Sequence, residues 1–399
     1  MTALINEIVM NADKFAALRR DLHAHPELSY EEHRTSRMVA EQLQSWGIEV
    51  HTGLAVTGVV GVLRCGNSER YIGLRADMDA LPVDEINQFA HASTYPGKMH
   101  ACGHDGHTVM LLAAAEYLAT SKSFDGTVVF IFQPAEERGA GALRMITEGL
   151  FDRFPCDAVF GIHNWPGLAA GTFAVRSGPM MAGTAGFEIV VQGKSCHAAM
   201  PHLGVDPIAV ACQLGSSLQL LVSRTLNPVD AAVLSITQIH AGETMNTTPE
   251  SAVLKGTVRA FSVEVFDQVE AGMRRIATQT AAAFGATVEL SFQRNYPPLI
   301  NDKTQTEFAV MAMRQVCGKE AVSDDAPLTM ASEDFAYMLQ ARPGCYALLG
   351  NGMGDHRLPD HGGGPCMLHN GSYDFNDDLI AVGASYWVRL AEAFLESSI

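Results

Sequence analysis

The sequence predicts an α/β protein whose doubly wound, mostly parallel sheet is interrupted by a smaller inserted domain. In the first half of the chain, short β-rich runs alternate with helical patterns, and the runs are residues 71–76, 127–132 and 158–162. Such alternation is typical of parallel sheets. Each run ends in a polar cluster. Because the carboxyl ends of parallel strands meet at one end of the sheet, we expect these clusters to lie together.

Helical periodicity identifies the segments around these strands. Apolar residues recur at helical spacing over residues 12–46, where Pro26 is expected to divide the pattern into two helices. Two more helices are predicted between the strands, at residues 108–119 and 141–150. This order of elements favours a sheet covered by helices on both faces.

The middle of the chain predicts a separate domain. Six segments there read as strand, helix, strand, strand, helix and strand, and they are residues 187–191, 207–222, 233–239, 252–261, 265–284 and 286–292. This βαββαβ order is that of a ferredoxin-like unit. We therefore predict a discontinuous domain of residues 1–182 and 295–399, and an inserted domain of residues 183–294. The edge strands of such a unit can pair with a second copy, which predicts a homodimer or a higher oligomer.

Composition and charge exclude several classes of protein. The 399 residues include 27 Lys and Arg against 44 Asp and Glu, a net charge of −17 that disfavours nucleic acids and anionic membranes as partners. The 8 cysteines are too few for a disulfide scaffold in a chain of this length. No basic leader is evident, and the longest apolar stretch, residues 110–119, is too short to cross a bilayer. We expect a cytoplasmic protein with reduced thiols.

Residues 99–107 concentrate side chains that bind metal ions. This segment contains one thiol, three imidazoles and one carboxylate, directly before a helical pattern. Thiolate and imidazole are ligands of Zn²⁺ and related ions. Cys102 and His104, two residues apart in an irregular loop, can converge on one ion. A polar loop that caps the helix is the alternative interpretation, and the segment alone leaves both open.

Adjacent carboxylates follow the strand at residues 127–132. Glu136 and Glu137 point in different directions, so one can bind a metal ion while the other accepts a proton from water. An acidic first turn of a helix is the alternative. His163 ends the next strand and His369 lies in a glycine-rich tail. Together with Cys102 and His104, these side chains are sufficient for two ions about 3.5–4 Å apart.

Eight runs in sequence order resemble the M20 metallopeptidase family. The resemblance is strongest to its amidohydrolase branch, which includes hippurate hydrolases, N-acyl-amino-acid amidohydrolases and auxin-conjugate hydrolases, and it extends from about residue 15 to the C-terminus. The runs are RRDLHAHPELSYEE, RADMDALP, MHACGHDGHT, FQPAEE, GIHNWP, HAAMPHLGVDP, GETMNTTPESAVLKGTVRAF and SEDFA.

The resemblance implies a role for each matching residue. Glu136 is the implied general base, and His197 is the implied histidine of the inserted domain that reaches a partner subunit's active site and stabilises the oxyanion. Asp79 is implied to orient a ligand, while Asn246 and Arg259 are implied to lie near the substrate. The implied metal ligands are Cys102, His104, Glu137, His163 and His369, with Cys102 shared by both ions.

We therefore predict a metal-dependent amidohydrolase that uses two divalent ions to activate water. The predicted substrates are N-acyl amino acids, including hippurate-like compounds; the alternative is a dipeptidase or another small-amide hydrolase of the same family. Zn²⁺ is favoured because a cysteine is among the ligands, and Mn²⁺, Co²⁺ and Ni²⁺ are alternatives. The resemblance also implies that the discontinuous domain is catalytic and that the inserted domain is a lid and dimerisation domain.

Three other functional classes fit the sequence less well. His23 and His25 are spaced as in TIM-barrel amidohydrolases, but they lie in a helical pattern rather than at a strand end. Residues 361–364 resemble a lipase oxyanion motif, but the sequence has no Gly-x-Ser-x-Gly. A relative that has lost catalysis is a further alternative, against which the presence of Glu136 argues.

Overall fold

The helices and strands of the protein alternate along most of the chain in the computed structural model, which describes residues 4–396. The helices are α1 (Asn6–Met10), α2 (Ala12–Ala24), α3 (His33–Ser45), α4 (His104–Ser121), α5 (Gly141–Thr147), α6 (Leu150–Arg153), α7 (Pro207–Thr225), α8 (Val263–Ala283), α9 (Lys303–Cys317), α10 (Phe335–Ala341) and α11 (Leu379–Glu396). The strands are β1 (Glu49–Leu54), β2 (Gly58–Cys65), β3 (Tyr71–Asp77), β4 (Gly126–Gln133), β5 (Ala158–Pro166), β6 (Phe173–Ala174), β7 (Gly178–Met181), β8 (Gly183–Gln192), β9 (Cys196–His197), β10 (Ala232–Ala241), β11 (Thr247–Thr248), β12 (Ser251–Ala260), β13 (Thr287–Arg294), β14 (Leu299–Asn301), β15 (Val322–Ser323) and β16 (Gly344–Gly352).

An eight-stranded sheet has the order β1-β2-β4-β3-β5-β16-β6-β15. Its four central strands, β4, β3, β5 and β16, run parallel to one another. Strands β1 and β2 join antiparallel at one side, and β6 pairs antiparallel with β16 at the other. The predicted α/β fold class is therefore confirmed, with a sheet that is mixed because antiparallel strands flank a parallel centre.

Burial on both faces explains why the central strands read as continuous apolar runs. All eight residues of β4 are buried, as expected for a strand covered by helices on both sides. Most of helix α4 is buried, and the helix packs against α11. Leu111 and Trp387 from these helices share one apolar core with Phe130 of β4. This packing fixes the start of α4 next to the carboxyl ends of β3 and β4, where Asp77 pairs with Gln133.

A second compact unit comprises residues 179–299 and 328–333. Its sheet has the order β10-β12-β8-β13 with every neighbouring pair antiparallel. Buried and part-buried residues alternate along β8 and β12 because one face of this sheet packs against α7 and α8. The elements follow a βαββαβ order.

The boundaries of this second unit differ from the predicted domain boundaries. Residues 328–333 belong to it, whereas the sequence pattern assigns them to the discontinuous domain. The backbone explains the difference, because the Thr329 N–H donates to the Met180 carbonyl and the Ala182 N–H donates to the Thr329 carbonyl. The first unit is formed by the described residues up to 178, residues 300–327 and the described residues from 334. Over residues 4–396, no helix has both the length and the apolar character needed to cross a membrane.

Candidate metal centre and active site

Five possible metal ligands converge at the carboxyl ends of the parallel strands in the first unit. Cys102 lies two residues before the first residue of α4, which is His104; Glu137 follows β4, His163 lies in β5, and His369 lies in the segment before α11. The ligand atoms of Cys102, His104 and His163 lie within 4.8 Å of one another. The same limit holds for Cys102, Glu137 and His369. Cys102 therefore belongs to both groups, as a ligand shared between two ions must.

The distances within this cluster suit metal coordination. Cys102 Sγ lies 3.4 Å from His163 Nε2, and His369 Nε2 lies 3.2 Å from Glu137 Oε1. Ligands of a tetrahedral Zn²⁺ ion, bound at about 2.0–2.3 Å, are roughly 3.3–3.8 Å apart. The His163 Nδ1–H donates to the Asn164 carbonyl at 2.6 Å, which leaves Nε2 with its lone pair directed at the cluster.

Gly103 allows the two ligands on either side of it to face the same cluster. Its φ of +91° lies in the left-handed region that favours glycine. A Cβ at this position would clash with the Asn164 side chain and lie 2.5 Å from the Tyr373 hydroxyl. The loop that carries His369 is joined to the same segment, because the His369 N–H donates to the Ala101 carbonyl at 2.8 Å.

Asp79 orients both the start of α4 and the turn after β4. One of its oxygens, Oδ1, lies 3.3 Å from His104 Nδ1. Its carboxylate also accepts the backbone N–H groups of Glu136 and Glu137 at 3.0 and 3.1 Å. The Glu136 side chain, in turn, accepts the Asp334 N–H at 3.4 Å. Asp79 therefore holds a possible ligand and the two-glutamate turn in one arrangement.

The electrostatics of the cluster suit cations. Burial alone would lower the pKa of His104, but Asp77 and Asp79 raise it to about 10. Burial and the neighbouring Glu137 raise the pKa of the Cys102 thiol well above its usual range. Burial and His107 hold the pKa of His163 well below its usual range, so its imidazole is in the neutral form that binds metals. Glu137 raises the pKa of His104 as well, so three carboxylates surround this imidazole.

Divalent ions fit this donor set. Among the described residues, His104 Nε2 and Glu137 Oε1 are buried without a partner in hydrogen-bond geometry, an arrangement that is unfavourable unless another group binds there. A metal ion bound here would satisfy both atoms and offset part of the negative charge of the carboxylates. It would also stabilise the thiolate form of Cys102, whose proton would be released on binding.

A family profile and individual relatives match the chain. The profile of peptidase family M20/M25/M40 matches residues 73–393. The chain belongs to the M20 peptidase family. Hippurate hydrolase of Campylobacter jejuni is 39% identical over 98% of this chain and 100% of its own length. N-acetyl-L-cysteine deacetylase of Bacillus subtilis is 42% identical over 96% of this chain and 88% of its own length.

A solved structure extends the comparison to the metal centre. A Bacillus subtilis protein described as a dinuclear metal-binding peptidase from the M20 family is similar to this chain with a TM-score of 0.84 and 34% sequence identity, covering 98% of this chain and 100% of that one. This M20 protein is thus a metal-dependent amidohydrolase, in the branch that includes the hippurate hydrolase and the deacetylase.

A hydrogen-bonded chain of buried residues lies behind the possible ligands of this M20 enzyme. His107 Nδ1 lies 2.6 Å from Asp77 Oδ1, and His107 Nε2 lies 2.6 Å from Asn164 Oδ1. The Asn164 Nδ2 group donates to the Tyr373 hydroxyl at 2.5 Å. The sequence assigns no role to Asn164 or Tyr373. The available signal was their position, because Asn164 directly follows His163 and Tyr373 closely follows His369.

Three of the predicted site residues lie in the second unit of the M20 enzyme. His197 is exposed on β9, where it pairs with Thr247 of β11. Asn246 is its neighbour, because the Ala198 N–H donates to the Asn246 carbonyl at 2.9 Å. Arg259 lies on β12, and its Nη1 donates to the Met330 carbonyl at 2.6 Å. The second unit thus brings His197 and Asn246 together and holds the Arg259 guanidinium by a separate contact.

The other histidine pair does not belong to a barrel site. His23 is buried within α2, and its Nδ1 lies 2.8 Å from Asp105 Oδ2. The main sheet is open, with β1 and β15 as its outer strands. His23 therefore has a structural partner, and the fold is not a TIM barrel.

Proposed function

We propose that this amidohydrolase cleaves the amide bond of small N-acyl amino acids, with Glu136 as the general base. One observation carries the proposal: Glu137 groups with His369 and with Cys102, the residue common to both ligand sets, whereas the adjacent Glu136 groups with His104 and Glu137 and its carboxylate accepts the Asp334 N–H. The names of the hippurate hydrolase and the N-acetyl-L-cysteine deacetylase both describe an N-acyl amino acid, which supports this substrate class.

The residues of the first unit provide the binding and proton-transfer groups of the proposed mechanism. The proposed ligands of two divalent ions are Cys102, His104, Glu137, His163 and His369. The chemistry that such ions supply when bound is a lower pKa of water and polarisation of the scissile carbonyl. Glu136 accepts the proton of the attacking water on its carboxylate and returns it to the leaving nitrogen. Zn²⁺ is the ion we propose, because a thiolate is in the donor set; Mn²⁺, Co²⁺ and Ni²⁺ are the alternatives.

The second unit provides the proposed substrate contacts. We propose that Arg259 binds the substrate carboxylate, that Asn246 lies beside it, and that His197 stabilises the oxyanion in a partner subunit. Strand β10 supports the dimer, because it is an outer strand of its sheet and its Ile239 is 55% exposed. Unpaired outer strands offer backbone groups to a second copy.

The Glu136→Gln variant tests the base. Loss of a general base typically lowers kcat about 10²–10⁴-fold, and we expect this loss with the metal content unchanged in elemental analysis. Glu137→Gln is the matched control, and it should lose bound metal together with activity. Near-normal kcat in Glu136→Gln would show that the base is wrongly assigned.

A substrate panel tests the proposed class. N-acetyl, N-benzoyl and free dipeptide substrates should be compared with the same metal-loaded enzyme, and we expect the acylated amino acids to have the higher kcat/KM. Preferential turnover of dipeptides with a free amino group would favour the dipeptidase alternative. No turnover of any member would contradict both assignments.

A further inference from the structure

Two buried carboxylates hold three consecutive backbone amides of the turn after β4. The Ala135 N–H donates to Glu32 Oε1 at 2.9 Å. The next two N–H groups, of Glu136 and Glu137, donate to Asp79 at 3.0 and 3.1 Å. Asp79 has an expected role from the sequence, whereas Glu32 has none.

The turn needs such support because its backbone is strained. Ala135 has a φ of +55°, a left-handed conformation that residues with a side chain rarely adopt. Consecutive N–H groups around a left-handed residue form a concavity that attracts anions. Here carboxylate oxygens of Glu32 and Asp79 accept these N–H groups. On the other side, Gly141 closes the turn, since its N–H donates to the Ala135 carbonyl and a Cβ at Gly141 would clash with the Pro134 carbonyl oxygen.

Glu32 links this turn to two other elements of the first unit. It directly precedes α3, and its Oε2 accepts the Thr57 hydroxyl at 2.6 Å. Its side chain is fully buried. Burial and the nearby Asp79 raise the pKa of Glu32 to about 7, so the protein loses stability by keeping a carboxylate at this position. A buried acid that is unfavourable for stability and lies beside an active site indicates a functional constraint.

We propose that Glu32 is a positioning residue that fixes the backbone of residues 134–137 and so directs Glu136 and Glu137 to different places. The proposal rests on the proposed roles of Glu136 as base and Glu137 as ligand. Glu32 touches neither the substrate nor a ligand side chain in this scheme, and it acts through the Ala135 N–H alone. Glu32 is required as a hydrogen-bond acceptor 2.9 Å from the Ala135 nitrogen. Its negative charge is not required.

Three variants separate positioning from simple stability. Glu32→Ala removes the acceptor of the Ala135 N–H. Glu32→Gln keeps a carbonyl oxygen for that N–H, and the Thr57 hydroxyl can rotate to accept a hydrogen bond from the new amide group. Glu27→Ala is the matched control, because the two Glu27 oxygens accept the Arg34 and Thr35 N–H groups at 2.8 Å each and thus bind the start of α3. Glu27 therefore stabilises the same helix without supporting the turn.

We expect Glu32→Ala to lower kcat about 10–100-fold with little change in KM, as is typical when a group behind a metal centre is lost. Its metal-free form should also bind Co²⁺ more weakly, by about 10-fold or more, in a titration followed by visible absorption. Glu32→Gln should restore both kcat and Co²⁺ affinity to near wild-type values. Glu27→Ala should lower Tm and leave kcat and Co²⁺ affinity unchanged.

Two results would overturn the inference. One is wild-type kcat and Co²⁺ affinity in Glu32→Ala, and the other is a Glu32→Gln variant as defective as Glu32→Ala. If Glu32→Ala does not fold, Glu32→Asp takes its place, since its carboxylate is one methylene too short to reach Ala135. The Co²⁺ titration does not depend on turnover. The positioning role of Glu32 can therefore be tested even if Glu136 is not the general base.

Discussion

His23 is fully buried between two carboxylates. Its Nδ1 lies 2.8 Å from Asp105 Oδ2, and its Nε2 lies 3.2 Å from Glu85 Oε1. Burial alone would lower the pKa of His23, but Asp105 and Glu85 raise it to about 10. Because Asp105 directly follows His104 in α4, the charged form of His23 helps to hold the start of the helix that carries the proposed ligand His104.

This arrangement predicts a pH-dependent contribution to stability. The folded pKa of His23 lies above the ordinary value of 6.5, so its stabilising effect is complete below about pH 6.5 and disappears as the pH rises through about 10. We expect His23→Gln to lower the free energy of unfolding most at about pH 6, by at least about 1 kcal/mol, and progressively less toward pH 10. Urea unfolding of both proteins over this range measures the difference, and a difference that does not vary with pH would contradict the pairing.

Functional residues were predictable from the sequence where their side-chain chemistry is itself distinctive. Cys102, His104 and the two-glutamate run stand out because few other functions need those groups so close together. Glu32 and Asn164 do not stand out, since a glutamate before a helix and an asparagine after a strand are ordinary residues there. Their roles depend on distances across the fold, such as the 2.9 Å from Glu32 to the Ala135 N–H, which no local pattern encodes.

Among the helices and strands, too, the sequence predicted some elements and not others. Helices and strands with regular periodicity, such as α8 and β12, were predictable because the spacing of their apolar residues indicates which face is buried. Strand β16 lies at the centre of the sheet, paired with β5, but the sequence did not indicate it. Its glycines and Asn351 interrupt the apolar run, and its partner is remote in sequence. The sequence also did not indicate the antiparallel strands β1 and β2. A flanking hairpin needs no crossover helix, so it lies outside the alternation of strands and helices that predicts the parallel strands.

The turn into α4 gives a prediction at the scale of an element. Gly103→Ala should displace Cys102 or His104, because the new Cβ meets the side chains of Asn164 and Tyr373. We expect a loss of bound metal in elemental analysis. Gly167→Ala is the matched control, since Gly167 has a φ of +94° and nothing within 4 Å of an added Cβ.

The control should therefore carry only the backbone strain of a left-handed residue, about 1–2 kcal/mol in the free energy of unfolding. Its metal content should equal that of the unmodified enzyme. Full metal occupancy in Gly103→Ala would contradict the view that the contacts with Asn164 and Tyr373 set the ligand geometry.

The proposed active site is assembled from both ends of the chain. Cys102 precedes the second unit in sequence and His369 follows it, so the first unit must be complete before its ligands can meet. The sequence could suggest this discontinuity from the change in element order, but it could not place residues 328–333 with the second unit. That placement depends on backbone hydrogen bonds to residues 180–182.

The proposed dimer predicts that two defective subunits can restore one active site. If His197 acts in the partner's site, a dimer of one His197→Ala chain and one Glu136→Gln chain contains one site with both groups intact. Equal amounts of the two chains, mixed and allowed to exchange, should then recover about one quarter of the wild-type activity, since half of the dimers are mixed and each has one complete site. Neither variant alone should show that activity.

Glu136→Gln mixed with His163→Ala provides the control for this complementation. Both changes lie in the first unit, so each site of the mixed dimer lacks either the base or a ligand and no activity should return. Light scattering on each mixture establishes that dimers are present. Dimers of His197→Ala and Glu136→Gln without recovered activity would show that His197 does not serve the partner's site. Activity recovered with His197→Ala and Glu136→Gln, but not with the control pair, would assign His197 to the site of the partner subunit. The reason is that the intact Glu136 and the intact His197 are then on different chains, so only a site that draws on both chains can contain the two.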